Sequence, residues 1–167
     1  MKLVTVFLTI CLFSRVSFGQ SNNNILHLVT NKMNLYGYAN SKGKVIVPFG
    51  KYRMCFTKKF DRLAIVDTGD GLVGIDRKEN VLFKIFIFDN GPDQPSNGLF
   101  RIVEDGKIGY ADLNGKIIIQ PKYDCAYPFK NGKAEVGIGC KTKTEGEHTM
   151  WEDGEWHTID KKGNRIK

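Results

Sequence analysis

A short segment near the C-terminus concentrates the side chains that could do chemistry. Four acids and one histidine lie between Glu145 and Asp153. Carboxylates and imidazoles bind divalent cations and act as general acids or bases. A small metal-dependent hydrolase that uses Glu147, His148 and either Glu152 or Asp153 is therefore one interpretation of the segment. The spacing of these residues matches no standard metal-binding loop, so we predict no metal ligand and no catalytic residue here.

The same segment also offers apolar side chains for contact with a partner. Met150 and Trp151 are the best candidates in the chain for exposed apolar residues, and Trp156 follows closely. We predict His148, Met150, Trp151 and Trp156 as the ligand-binding or partner-binding residues. The alternative is a solvated polar loop with Trp151 folded back on the sheet, because irregular insertions usually lie on the surface of a scaffold.

Familiar catalytic phrases are absent from the sequence. It contains no G-x-S-x-G, no G-x-x-x-x-G-K-[ST], no H-E-x-x-H and no C-x-x-C. Of the other histidines, His27 is most simply a half-buried packing residue, and His157 is a tolerated replacement in a repeat glycine position. We therefore predict a non-enzymatic binding or protein-interaction module without a cofactor, whose partner is an envelope or extracellular protein or a glycan. The hydrolase remains the alternative.

A repeated phrase organises the rest of the chain. A bulky residue, often followed by Gly, leads within four positions to Asp or Asn, then to a tight turn and a β-branched run. The acidic or amide anchors are Asn40, Asp76, Asp112 and Asp160, with spacings of 36, 36 and 48. The longer last spacing makes residues 137–151 the one insertion. The four units span about 25–51, 60–87, 98–122 and 132–167.

Each unit is predicted to form three short strands. Asp105–Gly106 and Asn114–Gly115 are strong hairpin signals, because type I′ turns need positive φ at both central residues. No window shows a sustained helical period. The sequence predicts an all-β fold, a tandem array of three-stranded β-hairpin repeats in an open, solenoid-like stack. A small propeller-like closure, with the terminal strands paired, is the alternative.

These phrases resemble the WG-repeat family, bacterial proteins built from tandem units of a Trp-Gly phrase, an Asp, a Gly-Lys turn and an apolar strand. The clearest units are Tyr36–Val47 and Ile108–Ile119, which keep Gly37 and Gly109. Elsewhere Val73 and His157 replace this Gly, and Glu79 replaces the turn Gly. The resemblance covers the mature chain and implies a binding scaffold with no known catalysis.

One unit of about 36 residues cannot bury its apolar face alone, so neighbouring units must cover it. The first position of the phrase is Tyr36, Leu72, Ile108 and Trp156 in the four units. We expect these side chains to form a single buried stripe along the array. A row of exposed aromatic rings that bind sugars is less consistent with the sequence, because two of the four are aliphatic.

Three cysteines follow the N-terminal segment: Cys55, Cys125 and Cys140. Cys125 and Cys140 flank a hairpin that turns at Asn131–Gly132, where Cys125 would face residue 138. A bulge could bring the two cysteines into a disulfide. Otherwise all three are small buried side chains.

The first nineteen residues predict an export signal. Lys2 precedes an apolar run, and Ser17 and Gly19 occupy the positions that signal peptidase requires. We expect cleavage after Gly19, a repeat domain at residues 20–167, and a secreted or periplasmic protein without a transmembrane segment. The net charge of +7 is spread along the chain. It indicates a mixed-charge surface rather than a nucleic-acid interface.

Overall fold

The computed structural model describes residues 25–145 and 148–166, apart from the side chains at positions 144, 145, 148 and 149. The predicted signal peptide, residues 1–19, lies outside the described residues. The described chain contains nineteen strands and no helix, so the all-β prediction is confirmed. No helix in this part of the chain could cross a membrane.

The strands are β1 (Leu26–Thr30), β2 (Tyr36–Ala39), β3 (Val45–Val47), β4 (Met54–Cys55), β5 (Lys59–Phe60), β6 (Ala64–Asp67), β7 (Leu72–Ile75), β8 (Val81–Ile85), β9 (Ile87–Phe88), β10 (Gly91–Pro92), β11 (Leu99–Glu104), β12 (Lys107–Asp112), β13 (Ile117–Tyr123), β14 (Cys125–Ala126), β15 (Lys133–Ile138), β16 (Lys141–Glu145), β17 (His148–Glu152), β18 (Glu155–Asp160) and β19 (Arg165–Ile166). Four antiparallel three-stranded meanders recur along this order. They are β1–β2–β3, β6–β7–β8, β11–β12–β13 and β15–β18–β19, called units 1 to 4 below.

The meanders join into open sheets. Unit 1 pairs with β5 in a four-stranded sheet, and units 2 and 3 merge through β8 and β11 into a seven-stranded sheet that also takes β4. Unit 4 and β14 form a second four-stranded sheet. In the described chain β1 pairs with β2 and β5, whereas β19 pairs with β18. The terminal strands do not close the array, and the open stack is the observed arrangement.

Each repeat anchor caps the turn between the second and third strands of its unit. The backbone N–H groups of Lys42 and Lys44 both donate to Asn40 Oδ1 over 3.0 Å. Asp76, Asp112 and Asp160 each accept the equivalent pair of bonds at 2.8–2.9 Å. A short side-chain oxygen that binds its own backbone in this way stabilises a turn. The repeated Asp or Asn is therefore a structural element of the turn.

The second predicted turn has a different geometry from the first. Asp105 and Gly106 have φ of 50° and 74°, as a type I′ turn requires. At Asn114–Gly115 only Gly115 has a positive φ, 86°. The prediction of a type I′ turn there is wrong, because the bonds to Asp112 widen the turn and shift the strand register between Tyr110 and Ala111.

Glu79 occupies the turn position that glycine fills in the other three units, and it keeps the left-handed conformation with φ of 64°. Its carboxylate accepts a hydrogen bond of 2.9 Å from the Tyr52 hydroxyl and pairs with Lys51 at 2.9 Å. These contacts hold a backbone geometry that L-residues disfavour. They also join the second unit to the segment that precedes it.

The core divides into three clusters, one at each junction between consecutive units. Tyr36 packs against the first cluster, Leu72 belongs to the second and Ile108 to the third. Trp156 instead packs against Tyr127 and Trp151. The expected single stripe is therefore wrong. Equivalent positions face separate interfaces, because each unit is covered by a different neighbour.

Two tyrosines fill equivalent places in the first and third clusters. Tyr38 is fully buried, donates to the Thr57 carbonyl over 2.9 Å and packs edge-on against Phe60. Tyr110 is 1% exposed, donates to the Tyr127 carbonyl over 2.7 Å and packs edge-on against Phe129. Burial raises the pKa of both hydroxyls above the ordinary range. Each tyrosine thus ties its unit to the segment that follows.

Candidate binding surface

Two hairpins lie beside the three-stranded meanders. The first is β9–β10, between units 2 and 3, where Phe88 lies 36 residues after Tyr52 and 35 residues before Tyr123. Those tyrosines are 8% and 3% exposed, whereas Phe88 is 62% exposed. The second is β16–β17, which pairs in register from Lys141–Glu152 to Glu145–His148. The insertion expected as an irregular loop is therefore a regular ribbon.

The two hairpins meet through aromatic side chains. The ring centroids of Phe86 and Trp151 lie 6.1 Å apart, and Trp151 lies 5.2 Å from Tyr127 and 6.3 Å from Trp156. Tyr127 and Trp156 are 5.6 Å apart. Such distances are typical of paired aromatic rings. We call Phe86, Phe88, Tyr127, Trp151 and Trp156 the aromatic surface.

The structure brings together two of the four predicted partner-binding residues. Trp151 and Trp156 are both half-buried in the aromatic surface, and Trp151 also packs against the third core cluster. The alternative, in which Trp151 folds back on the sheet, agrees with this contact between Trp151 and the core. Met150 is 47% exposed, but side chains alternate along a strand, so it points to the opposite face of the hairpin from Trp151. The His148 side chain lies outside the described residues.

A buried ion pair lies beneath the aromatic surface. Arg101 and Asp93 are 2% and 3% exposed. The Arg101 Nε–H donates to Asp93 Oδ2 over 3.1 Å, and Nη2 donates to Oδ1 of the same carboxylate. Arg101 Nη1 donates to the Ala126 carbonyl over 3.0 Å. One guanidinium thus joins the segment after β10, strand β11 and strand β14.

The guanidinium of Arg101 also supports the rings above it. Its central carbon lies 4.1 Å from the Phe86 ring centroid and 5.5 Å from that of Phe88. A cation in this position is attracted to the face of the ring. Sequence reasoning missed Arg101 and Asp93. The available signal was a charged residue in the middle of the apolar strand Leu99–Val103.

Cys125 and Cys140 form a disulfide, with their Cα atoms 6.3 Å apart, whereas Cys55 is free and buried. Cys125 pairs with Gly137 rather than with residue 138, because the β14–β15 ladder is offset by one residue from the Asn131–Gly132 turn. The disulfide joins strand β14 to Cys140, the residue immediately before β16. It therefore lies at the base of the inserted hairpin.

Two acids of the segment Glu145–Asp153 have described side chains, Glu152 and Asp153, and both are paired with lysines. Glu152 lies 3.2 Å from the Lys143 ammonium, and Asp153 lies 3.9 Å from that of Lys141. Within residues 25–145 and 148–166, wherever side chains are described, no three His, Cys, Asp or Glu residues are close enough to hold a metal ion. Glu147 and the His148 side chain lie outside this set, so the hydrolase interpretation stays untested.

Comparison with known families identifies the repeat. The sequence profile described as "WG containing repeat" matches residues 36–56 and 108–139. This chain contains WG repeats. The matches begin at Tyr36 and Ile108, the first positions of the two phrases that keep the glycine. Searches of curated proteins and of solved structures returned no match.

The structure explains why the WG-repeat glycine is needed in units 1 and 3. A Cβ at Gly37 would lie 2.8 Å from the Val47 carbonyl oxygen, and one at Gly109 would lie 2.5 Å from that of Ile119. The third strand therefore crosses the glycine in direct contact. Unit 2, which the profile does not match, and unit 4, of which the profile matches only strand β15, keep the meander and the capped turn of a WG repeat although Val73 and His157 replace the glycine.

Proposed function

We propose that this WG-repeat protein is a non-enzymatic interaction module, that it acts outside the cytoplasm, and that it binds a partner protein through the aromatic surface. The observation that carries the proposal is the convergence of the two hairpins at Phe86 and Trp151. The inserted hairpin β16–β17 lies outside the 36-residue period, so stacking of the units does not account for it. Its contact with Phe86 favours a role in addition to the scaffold.

The chemistry of the aromatic surface supports a protein partner. Phe88 is 62% and Tyr127 43% exposed, so both rings are available for contact. Within the described part of the chain, the Tyr127 hydroxyl and the Trp151 indole N–H make no hydrogen bond, which leaves both groups for a partner. Tyr and Trp, with apolar bodies and one polar group each, dominate the binding energy of protein interfaces.

Two features support action outside the cytoplasm. The sequence predicts an export signal with cleavage after Gly19. The chain also carries the Cys125–Cys140 disulfide, and such bonds persist mainly in oxidising compartments. Membrane and supernatant fractions, with immunodetection of the cleaved chain, test this localisation. Uncleaved protein in the cytosol would contradict it.

Affinity capture with quantitative mass spectrometry tests the binding function. The bait is the oxidised mature chain, compared with Phe88→Ala and Tyr127→Ala, whose side chains are exposed enough to be removed without loss of the fold. Leu113→Ala, at a site 56% exposed in another turn, is the matched control. Met150→Ala tests the opposite face of the same hairpin.

We expect one set of proteins to be retained by the parent, Leu113→Ala and Met150→Ala, and to fall at least tenfold with Phe88→Ala and Tyr127→Ala. A loss of tenfold corresponds to about 1.4 kcal/mol of binding free energy. Equal recovery by all variants would remove the aromatic surface from the function. Retention on a polysaccharide matrix, lost with the same two variants, would keep the surface and contradict the protein partner.

A further inference from the structure

We propose that the Cys125–Cys140 disulfide assembles the aromatic surface, and that a dithiol reductant releases the inserted hairpin and takes the surface apart. The expected effect on partner binding rests on the function proposed above. The assembly itself does not, because it is argued from contacts within the chain.

The disulfide connects the segments that supply two of the five rings, Tyr127 and Trp151. Tyr127 follows Cys125 by two residues, and the hairpin that carries Trp151 begins directly after Cys140. The bond therefore fixes the base of the hairpin against strand β14, where the Tyr127 ring meets Trp151 at 5.2 Å. Without the bond, the distance between these two segments depends on weaker contacts.

The surroundings of Cys140 are closely packed. A Cβ added to Gly154 would lie 2.6 Å from the Cys140 backbone nitrogen. One added to Gly137 would lie 3.1 Å from both Cys140 Sγ and the Trp156 ring. The turn at the end of the hairpin therefore rests on Cys140, and the Trp156 indole N–H binds this turn by donating to the Asp153 carbonyl over 2.7 Å.

The other contacts at the base of the hairpin predict which parts of the chain move when the disulfide is reduced. Trp156 lies on β18, which pairs with β15 through six residue pairs and is independent of the disulfide. The hairpin β16–β17 pairs only with itself among the described strands. Besides the packing of Gly154 on Cys140 and the bond from Trp156, its base is held by Asp124, which accepts from the Gly139 N–H over 2.8 Å and pairs with Lys107. Reduction should therefore free Trp151 and leave Trp156 and the body of unit 4 in place.

The exchange reaction has a defined direction of attack. Cys125 is 1% exposed, whereas Cys140 is half-buried, so the reductant reaches the Cys140 sulfur. A thiolate of the dithiol bonds to Cys140 Sγ, the disulfide breaks, and Cys125 leaves as a thiolate and takes a proton. The second thiol then displaces Cys140, which also ends as a thiol. Two electrons and two protons pass from the dithiol, which becomes a disulfide.

Limited proteolysis with trypsin tests the release without a partner. Lys141 and Lys143 lie on the hairpin and are exposed, and Lys42 and Lys44 lie in the exposed turn of unit 1 and serve as the internal control. The protein is compared oxidised, reduced with dithiothreitol, and as the Cys125→Ser/Cys140→Ser variant. Cleavage sites are followed by mass spectrometry, and far-UV circular dichroism reports the fold.

We expect cleavage at Lys141 and Lys143 to rise at least about tenfold on reduction and in the variant, with unchanged cleavage at Lys42 and Lys44. Acrylamide quenching gives a second measurement, since the chain has two tryptophans and both lie in the aromatic surface. In the Trp156→Phe variant, Trp151 is the remaining tryptophan, and its quenching should increase when the disulfide is reduced.

Unchanged cleavage at all four lysines would overturn the proposal. An equal rise at all four would also overturn it, because the disulfide would then hold the whole fold rather than the surface. Faster hairpin cleavage with undiminished partner capture would leave the disulfide assignment standing and contradict the function of the aromatic surface. The two proposals can thus fail separately.

Discussion

The ring of Phe86 packs edge-on against the ring of Trp151, with 6.1 Å between their centroids. Phe86 stands at the start of the hairpin between units 2 and 3, and Trp151 stands on the hairpin inserted into unit 4. This contact joins the segment between units 2 and 3 to the one insertion in the repeat period. It makes a surface from elements that are 65 residues apart in sequence.

The buried Arg101–Asp93 pair should be essential to the fold beneath this surface. Arg101→Ala would leave the Asp93 carboxylate buried without its partner, and we expect a loss of about 3–5 kcal/mol in the free energy of unfolding. Urea denaturation measures the change. Arg53→Ala is the control, because Arg53 is 70% exposed and 4.0 Å from Asp67, and it should cost at most about 1 kcal/mol. Similar losses for both variants would contradict the structural role of Arg101.

Gly154 and Gly106 offer a matched test of the packing around Cys140. Both follow an aspartate in a tight turn, with φ of 82° and 74°. An alanine at either position meets the same backbone strain, but no atom lies within 4 Å of a Cβ at Gly106, whereas Cys140 blocks one at Gly154. We expect Gly154→Ala to be less stable than Gly106→Ala by about 1–3 kcal/mol in urea denaturation. Equal stabilities would show that the turn does not rest on Cys140.

The capped turns predict part of the acid sensitivity. Hydrogen bonds from the Asn80 and Asn164 side chains lower the pKa of Asp76 and Asp160. In the unfolded chain the pKa of these carboxyls is about 3.9. A pKa that is lower in the folded state contributes stability above the unfolded pKa and loses it as the pH falls through the folded pKa.

In the double variant Asp76→Asn/Asp160→Asn, the melting temperature should therefore decrease less steeply below about pH 4 than in the parent. Asn40 fills the same position in unit 1 and accepts both backbone bonds, so the turns should persist in the variant. Melting curves from pH 2 to 7 measure the effect. The same decline with acid in parent and variant would show that these carboxylates do not contribute.

The fold was predictable to the extent that it depends on local chemistry. The anchors at Asp112 and Asp160 bind their own backbone within four residues, so their spacing in the sequence reveals the repeat. The same locality exposes the insertion as a break in the period. Turn geometry was less predictable. Asn114–Gly115 favours a type I′ turn, but the hydrogen bonds that Asp112 accepts from the turn backbone stabilise a different geometry.

The aromatic surface was only half predictable. Trp151 and Trp156 stand out by residue type, but Phe86 and Tyr127 acquire their meaning only when distant segments meet. Phe88 follows the repeat period of the buried tyrosines, so periodicity predicts burial where the structure shows 62% exposure. Arg101 was hidden because a charge in an apolar strand can be interpreted only when its partner, Asp93, is known to be buried beside it.

Site-specific photocrosslinking tests the central claim most directly. A photoreactive phenylalanine analogue replaces Phe88 in one variant and Leu113 in another, since both sites are exposed to a similar degree, 62% and 56%. The oxidised protein is irradiated in an extract of the cells that produce it, and covalent adducts are identified by mass spectrometry. We predict one recurring protein adduct at position 88 and none of that protein at position 113. Equal labelling at the two positions, or no adduct at position 88, would contradict the assignment of the aromatic surface as the binding site.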